Sequence, residues 1–260
     1  MSKKKPRRED KPLTQAAKIA GGVFDDKTVE VLVELLNKHV IDGIDFPVSG
    51  GKEAIVFRCR TQKGFVALKI FKYENTSFHR MREYILGDPR FRLKHSLREN
   101  VKLWAKKEYA NLQTCFEAGV SVPKPLFWRD NIVVMEYLGE NGVPYALLEE
   151  VVLKNPQKVF DEVVSSMKKM HAAGIVHADL SSFNIVMKNN TPVFIDFGQA
   201  VVNAHPNSRR LFEQDCENIA EYFQKLGVKT SKDDLMQKII TKEQTANPKN
   251  ESNNYQTNSK

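Results

Sequence analysis

Asp179, Asn184 and Asp196 are the residues whose types and spacing point most directly to chemistry. The first two stand in His177-Ala178-Asp179-Leu180-Ser181-Ser182-Phe183-Asn184, and twelve residues beyond Asn184 comes Asp196-Phe197-Gly198. A carboxylate on a short loop can take the proton of an attacking hydroxyl or water and hold its oxygen in line, which suits Asp179 to phosphoryl transfer. Magnesium takes hard oxygen ligands and keeps several waters, so an amide oxygen and a carboxylate beside a phosphate, here Asn184 and Asp196, are a sufficient protein share. A single loop Asp or Asn is usually a cap or turn former. Two short motifs in this order and at this separation point beyond that reading.

Such loops need elements to hold them. Ile175-Val176, Ile185-Val186-Met187 and Pro192-Val193-Phe194-Ile195 read as small strands that pin both. Upstream, Val66-Ala67-Leu68-Lys69-Ile70 reads as a strand that sets a cation between apolar neighbours, in the pattern whose Lys meets the α- and β-phosphates of ATP. Ser49-Gly50-Gly51-Lys52-Glu53-Ala54 is neither G-x-G-x-x-G nor a Walker A motif. It reads as a hairpin turn, or as a loop whose glycines admit a phosphate close to backbone N–H groups.

A helix is expected over 96–118, with Ser96 and Glu99 forming a capping box and Gly119 as its stop. Val101, Trp104, Ala105, Glu108, Leu112 and Cys115 fall near one face of it. A carboxylate on that apolar stripe calls for a cation: Lys69 across the fold, or Lys102 or Lys106 on the same helix. Asn131-Ile132-Val133-Val134-Met135-Glu136-Tyr137-Leu138-Gly139 reads either as a plain buried strand or as a strand running into a hinge between two lobes. In the second case the backbone from Glu136 to Leu138 would bond an adenine edge, with Met135 behind it.

Together these strings resemble the RIO family of atypical serine/threonine protein kinases, in its archaeal-sized type-one branch. The matching residues are 49–54, Thr76-Ser77-Phe78, Tyr84, Gly87-Asp88, Arg90-Phe91, Trp104-Ala105-Lys106-Lys107-Glu108, Asn111-Leu112, 177–181 and 195–201, which span most of 40–225. The resemblance implies an α+β, bilobal, protein-kinase-like fold with an antiparallel sheet plus helix in the N-lobe and a reduced helical C-lobe. The domain would cover 21–240, with an N-lobe over 21–137, a hinge near 136–142 and a C-lobe over 143–240. It also implies roles. Ser49, Gly51 and Lys52, with Gly50 beside them, belong to the phosphate loop; Lys69 anchors the nucleotide with Glu108 as partner; Glu136 and Leu138 belong to the adenine hinge. Asp179 is catalytic, Asn184 and Asp196 bind Mg2+ or Mn2+, and Asp196 is a candidate phosphoacceptor. Gly50 stands where the family commonly has Thr, which removes a hydroxyl near the phosphates; Ser182-Phe183 also departs from the usual pattern.

The stretch beyond Gly198 narrows the reading, because residues 199–260 hold neither an Ala-Pro-Glu motif nor a peptide-docking subdomain. A helix over 208–226, with Leu211, Phe212, Ile219, Phe223 and Leu226 apolar, comes almost at once. An activation segment is not expected. Helices are also read over 26–39, with Val29, Leu32, Val33 and Leu36 on one face, and from Asn155-Pro156 to Met170, with Gly174 beyond it. His177 is expected to hold its loop through a backbone hydrogen bond.

Composition bounds the rest. A chain of 260 residues that is 41 % hydrophobic can bury the core of one bilobal domain. Cys59, Cys115 and Cys216 lie too far apart for a Cys-x-x-Cys site and suit a reducing compartment. No apolar run is long enough to span a bilayer and no signal peptide is read, so a cytoplasmic protein, monomeric and without membrane or DNA partners, is expected. The net charge of +8 concentrates in a flexible arm over 1–20 and in His79, Arg80, Arg82, Arg90, Arg92, Lys94, His95 and Arg98, where Phe78, Tyr84 and Phe91 intervene. That mixture suits RNA, or simply a solvated face. The tail over 241–260 is too polar to order itself. The family resemblance favours an ATPase and serine kinase that acts on pre-ribosomal small subunits and their RNA. A small-molecule phosphotransferase of the aminoglycoside or choline kinase kind and a non-catalytic, ATP-gated RNA-binding factor are the alternatives.

Overall fold

The computed structural model describes residues 24–73 and 78–240. The basic arm, Thr76-Ser77 and the polar tail lie outside the described residues, as do the side chains of Phe78, His79 and Arg80. A five-stranded antiparallel sheet in the order β1-β2-β3-β5-β4 is built from β1 (Gly43–Gly50), β2 (Ala54–Thr61), β3 (Gly64–Phe71), β4 (Pro125–Arg129) and β5 (Ile132–Glu136).

The alternation of β3 decides where Lys69 points. Val66, Leu68 and Ile70 pack with Val31, Leu32, Leu35 and Leu36 of helix α1 (Asp26–Asn37) on one face. Ala67 and Phe71 therefore face the other side, with Lys69 between them, because successive side chains in a strand point to opposite faces. Both faces are covered, which is why the strand reads as one continuous apolar run.

The buried stripe of α1 is Thr28, Val31, Leu32, Leu35 and Leu36, so the expected face through Val29 and Val33 was rotated. Thr28 explains the error: its hydroxyl donates to Asp25 at 2.9 Å and accepts from Asn131 at 3.0 Å, so a polar residue occupies a buried position that an apolar count skips.

Helix α2 (Phe78–Leu86) and helix α3 (Leu97–Glu117) come between β3 and β4. Ser96 caps α3 by accepting from the Glu99 amide at 3.2 Å, the hydroxyl half of the expected box. The helical lobe holds α4 (Pro156–Ala172), α5 (Ser208–Lys225) and α6 (Lys232–Ile240), with Phe160 set edge-on to Phe223 at 5.2 Å between ring centroids. Leu226 is exposed at the C-cap of α5 rather than part of its apolar face. Short strand pairs brace the loops between the lobes: β6 (Ile175–Val176) pairs with β9 (Val201–Val202), and β7 (Ile185–Lys188) forms a hairpin with β8 (Thr191–Phe194). Among the described residues, no helix is long and apolar enough to cross a membrane.

Candidate active site

Lys69 reaches from β3 to two carboxylates at once. Its Nζ donates to Glu108 Oε1 at 2.8 Å and to Asp196 Oδ1 at 2.9 Å. Glu108 is on the inner face of α3, whereas Lys102 pairs with Asp130 and Lys106 lies over the Trp128 ring, so neither alternative partner on the same helix is used. The two carboxylates differ in exposure. The Glu108 side chain is 2 % exposed and that of Asp196 is 49 % exposed, so only the second faces the cleft where a cation could reach it.

Protonation is set by this pairing. Burial alone would lower the Lys69 pKa, but Asp196 and Glu108 outweigh it and hold the ammonium above its ordinary range. Burial would raise Asp196, yet Lys69 holds that carboxyl below the usual value. Burial pushes Glu108 up to about 7 against the pull of Lys69, and its second oxygen, Oε2, has no hydrogen-bond partner among the described residues.

The Asp179 loop is organised by its neighbours. Asn184 Nδ2 donates to the Asp179 carbonyl at 2.7 Å and lies 3.4 Å from Asp179 Oδ2. Fixing the nitrogen in this way turns the Asn184 carbonyl oxygen elsewhere, as a metal ligand requires. Ala178 and Asp196 both adopt left-handed backbone, with φ of 67° and 65°. For Ala178 this conformation is strained, and it persists because Asp215 holds the backbone around it. The two Asp215 oxygens accept the Ala178 and Leu180 amides, each at 2.8 Å. Burial raises the Asp215 carboxyl to about 7 while those amides pull it down. His177 bonds the Ile195 carbonyl through Nε2 at 3.0 Å, so the expected backbone contact is present. A carbonyl can only accept, so Nε2 carries the proton; burial lowers the pKa to about 4 and keeps the ring neutral.

Sequence reading missed Asp215, Lys107 and Asn111. The last two are fully buried on the face of α3 that carries Glu108, and both grip the Asp196 loop. Lys107 Nζ donates to the carbonyls of Gly198, at 3.1 Å, and Ala200. Asn111 Nδ2 donates to the carbonyls of Phe197 at 3.1 Å and Ala200 at 2.7 Å. Gly198 completes the fit, since a Cβ there would sit 2.9 Å from Trp104 Nε1. Their signal was the placement of Trp104, Lys107, Glu108 and Asn111 at successive helical intervals of three, one and three, which describes a polar face as well as an apolar one.

The residues read as a candidate phosphate loop form a tight hairpin: Ser49 and Gly50 end β1 and pair with Val56 and Ile55, and the Gly51 amide donates to Ala54 O at 2.9 Å. A Cβ added at Gly50 would meet nothing within 4 Å, so the fold leaves open space there. Lys52 is exposed at the tip of that turn. At the lobe junction, the Glu136 amide donates to Lys124 O at 2.8 Å and its side chain pairs with Lys188 at 2.7 Å. Leu138 O accepts from Tyr145 at 3.0 Å, while the Leu138 amide makes no bond to a backbone carbonyl among the described residues.

The basic segment divides. Arg82, Arg92, Lys94 and His95 are exposed. Arg90, also exposed, joins Asp88, at 2.7 Å, to Asn111, at 2.6 Å, and Arg98 pairs with Asp25 over the Tyr73 ring. Tyr84 sets its ring edge against Trp104 and Phe91 packs on the core, so these aromatics serve packing.

A sheet lobe and a helical lobe that meet at a Lys–Glu–Asp cluster, with an Asp-containing loop opposite, define the protein-kinase class of fold. Residues 55–236 match the RIO domain model. The chain is 39 % identical over 220 residues to the RIO-type serine/threonine-protein kinase Rio1 of Haloferax volcanii, covering 84 % of this chain and 76 % of that one. It is 37 % identical over 238 residues to Rio1 of Methanocaldococcus jannaschii, covering 90 % and 81 %. Its fold resembles the Rio2 kinase–ADP/Mg2+–phosphoaspartate complex of Chaetomium thermophilum, with a TM-score of 0.65, 21 % identity, and coverage of 85 % of this chain and 66 % of that one. The chain belongs to the RIO family of serine/threonine-protein kinases.

The Lys69 and Lys107 contacts each carry a testable expectation. Lys69→Met strands Glu108 as a buried carboxylate and lowers the urea-unfolding free energy by about 3–5 kcal/mol, whereas adding Glu108→Leu restores more than about 1 kcal/mol of it. Additive losses would deny the pairing. Burial lowers Lys107 to about 7, below the ordinary Lys value, so between the two the unfolded chain holds a proton that the folded chain lacks. Stability of the wild type relative to Lys107→Gln therefore rises from pH 7 towards pH 10, on the order of a few kcal/mol. A flat difference across that range would show that Lys107 does not titrate there.

Proposed function

We propose that this protein binds ATP with Mg2+ between its lobes and transfers the γ-phosphoryl group to a protein hydroxyl or to water, in the service of small ribosomal subunit maturation. The observation that carries the proposal is the junction of Lys69, Glu108 and Asp196 opposite the Asn184–Asp179 pair. The residues present suit the ligands. The open space at Gly50, in a hairpin beside exposed Lys52, leaves room for phosphates, and the Leu138 amide and Glu136 carbonyl suit an adenine edge. Asn184 and Asp196 offer one amide and one carboxylate oxygen to Mg2+, or to Mn2+, which accepts the same donors. Mg2+ bound there would neutralise charge on the phosphates.

Within the chain, Lys69 anchors phosphate oxygens, Glu108 keeps that ammonium in place, and Asp179 takes the proton of the incoming oxygen. The fold relative described as a complex with ADP, Mg2+ and a phosphoaspartate supports both the nucleotide and a phosphorylated Asp196 in this chain. A role in ribosome assembly, and with it a cytoplasmic setting, rests on the family resemblance and on the exposed cations Arg82, Arg92, Lys94 and His95, which suit an RNA backbone.

Incubation with γ-labelled ATP and Mg2+, with and without small-subunit precursors, tests the reading. Labelled phosphate release and self-labelling are expected, both falling at least about 100-fold in Asp179→Ala and Asp196→Ala. Unchanged turnover in both variants would remove the site assignment. RNA affinity should fall steeply with salt and weaken when Arg82, Arg92 and Lys94 are neutralised together; a salt-independent affinity counts against the RNA surface.

A further inference from the structure

We infer that Gln199 is a second positioning group for the phosphoryl acceptor, acting with Asp179, and that it selects small acceptors, water above all; this rests on the phosphotransfer reading given above. Gln199 Nε2 donates to Asp179 Oδ2 at 3.0 Å, across twenty positions of sequence. The amide is oriented by its partner: its oxygen would repel a carboxylate, so the nitrogen faces Asp179. The remaining Oε1 is an acceptor on the same planar group as the Asp179 contact, matched to the O–H of a water or hydroxyl.

The backbone beneath Gln199 is unusually well fixed. The carbonyls of Gly198 and Ala200, on either side of it, are both held by Lys107, and Ala200 O is held again by Asn111. Gly198 is seated against Trp104, and Ala200 is buried. A half-buried side chain that leaves such an anchored turn keeps its direction, and that direction ends on the carboxylate that receives the acceptor's proton. Peptide-substrate kinases position a hydroxyl by docking the polypeptide that carries it. Among the described residues after Gly198, one short strand and two helices pack on the domain core, and a group inside the cleft can orient a small acceptor by itself.

The step balances without a further reactant. The water oxygen forms a bond to the γ-phosphorus, the bond from that phosphorus to the β–γ bridging oxygen breaks, and ADP leaves with the electron pair. The water proton passes to the Asp179 carboxylate and from there to solvent. Gln199 neither gains nor loses a proton; it fixes Asp179 and accepts a hydrogen bond from the attacking O–H.

The test measures steady-state phosphate release, protein-bound label and the Kd for Mg2+–ADP in the wild type, Gln199→Leu, Gln199→Glu and Asp179→Asn. Both Gln199 variants are expected to lose about 10- to 100-fold in kcat for phosphate release with ADP affinity and Tm unchanged, the size of loss that misplacing a reacting group produces. The share of label transferred to protein should rise relative to phosphate released. Wild-type kcat in Gln199→Leu, while Asp179→Asn is inactive, overturns this inference alone. A loss of ADP affinity parallel to the loss of kcat also overturns it, since Gln199 would then only shape the pocket. If the wild type and Asp179→Asn release phosphate equally, the phosphotransfer reading itself fails.

Discussion

One ammonium shared between two carboxylates is the interaction on which the rest of this structure depends. Lys69 is almost fully buried, and a buried cation persists only when paired. Its two partners come from different places: Glu108 from a helix after β3, Asp196 from a loop more than a hundred residues along the chain. The contact therefore fixes sheet, helix and loop relative to one another at a single point. The direction of Lys69 is in turn set by α1, whose apolar face takes the alternate residues Val66, Leu68 and Ile70 and leaves Lys69 no choice of side.

A charge cluster alone would not hold a loop that contains left-handed residues. Two further polar anchors do so, one for each of the two loops that contain such residues. Lys107 and Asn111 on α3 bind the carbonyls of Phe197, Gly198 and Ala200 in the Asp196 loop, and Asp215 on α5 binds two amides of the Asp179 loop. Lys107, Asn111 and Asp215 are all buried, where an unmatched polar group costs about 1–3 kcal/mol, so each anchor is a strong constraint on geometry once its partners are in place. Arg90 extends the α3 anchor outward to Asp88, at the end of α2, so the segment that leads into α3 is joined to the same network.

The site was legible in the sequence wherever a residue type does its usual work. Lys69 on an apolar strand, Glu108 on an apolar stripe and the Asp179, Asn184 and Asp196 series each break a pattern in a way that asks for a partner. The anchors were not legible, for a physical reason. Lys107 and Asn111 look like the solvated side of α3, and Asp215 like a surface residue of α5, because one-dimensional periodicity assigns polar residues to water. The ion pairs of Arg90 with Asp88 and of Arg98 with Asp25 were hidden for the same reason, and Thr28 rotated the expected face of α1. Helix α6 escaped notice because only Leu235 and Ile239 of its residues are buried.

Together these constraints would assemble a metal–nucleotide site between the lobes. Crystals grown with Mn2+ and a non-hydrolysable ATP analogue test this most directly, through the anomalous signal of the metal. The expected result is a peak within about 2.5 Å of both an Asp196 carboxylate oxygen and the Asn184 side-chain oxygen, with the Lys69 ammonium on a phosphate oxygen. A nucleotide bound with Lys69 untouched, or a metal held by other residues, would contradict it.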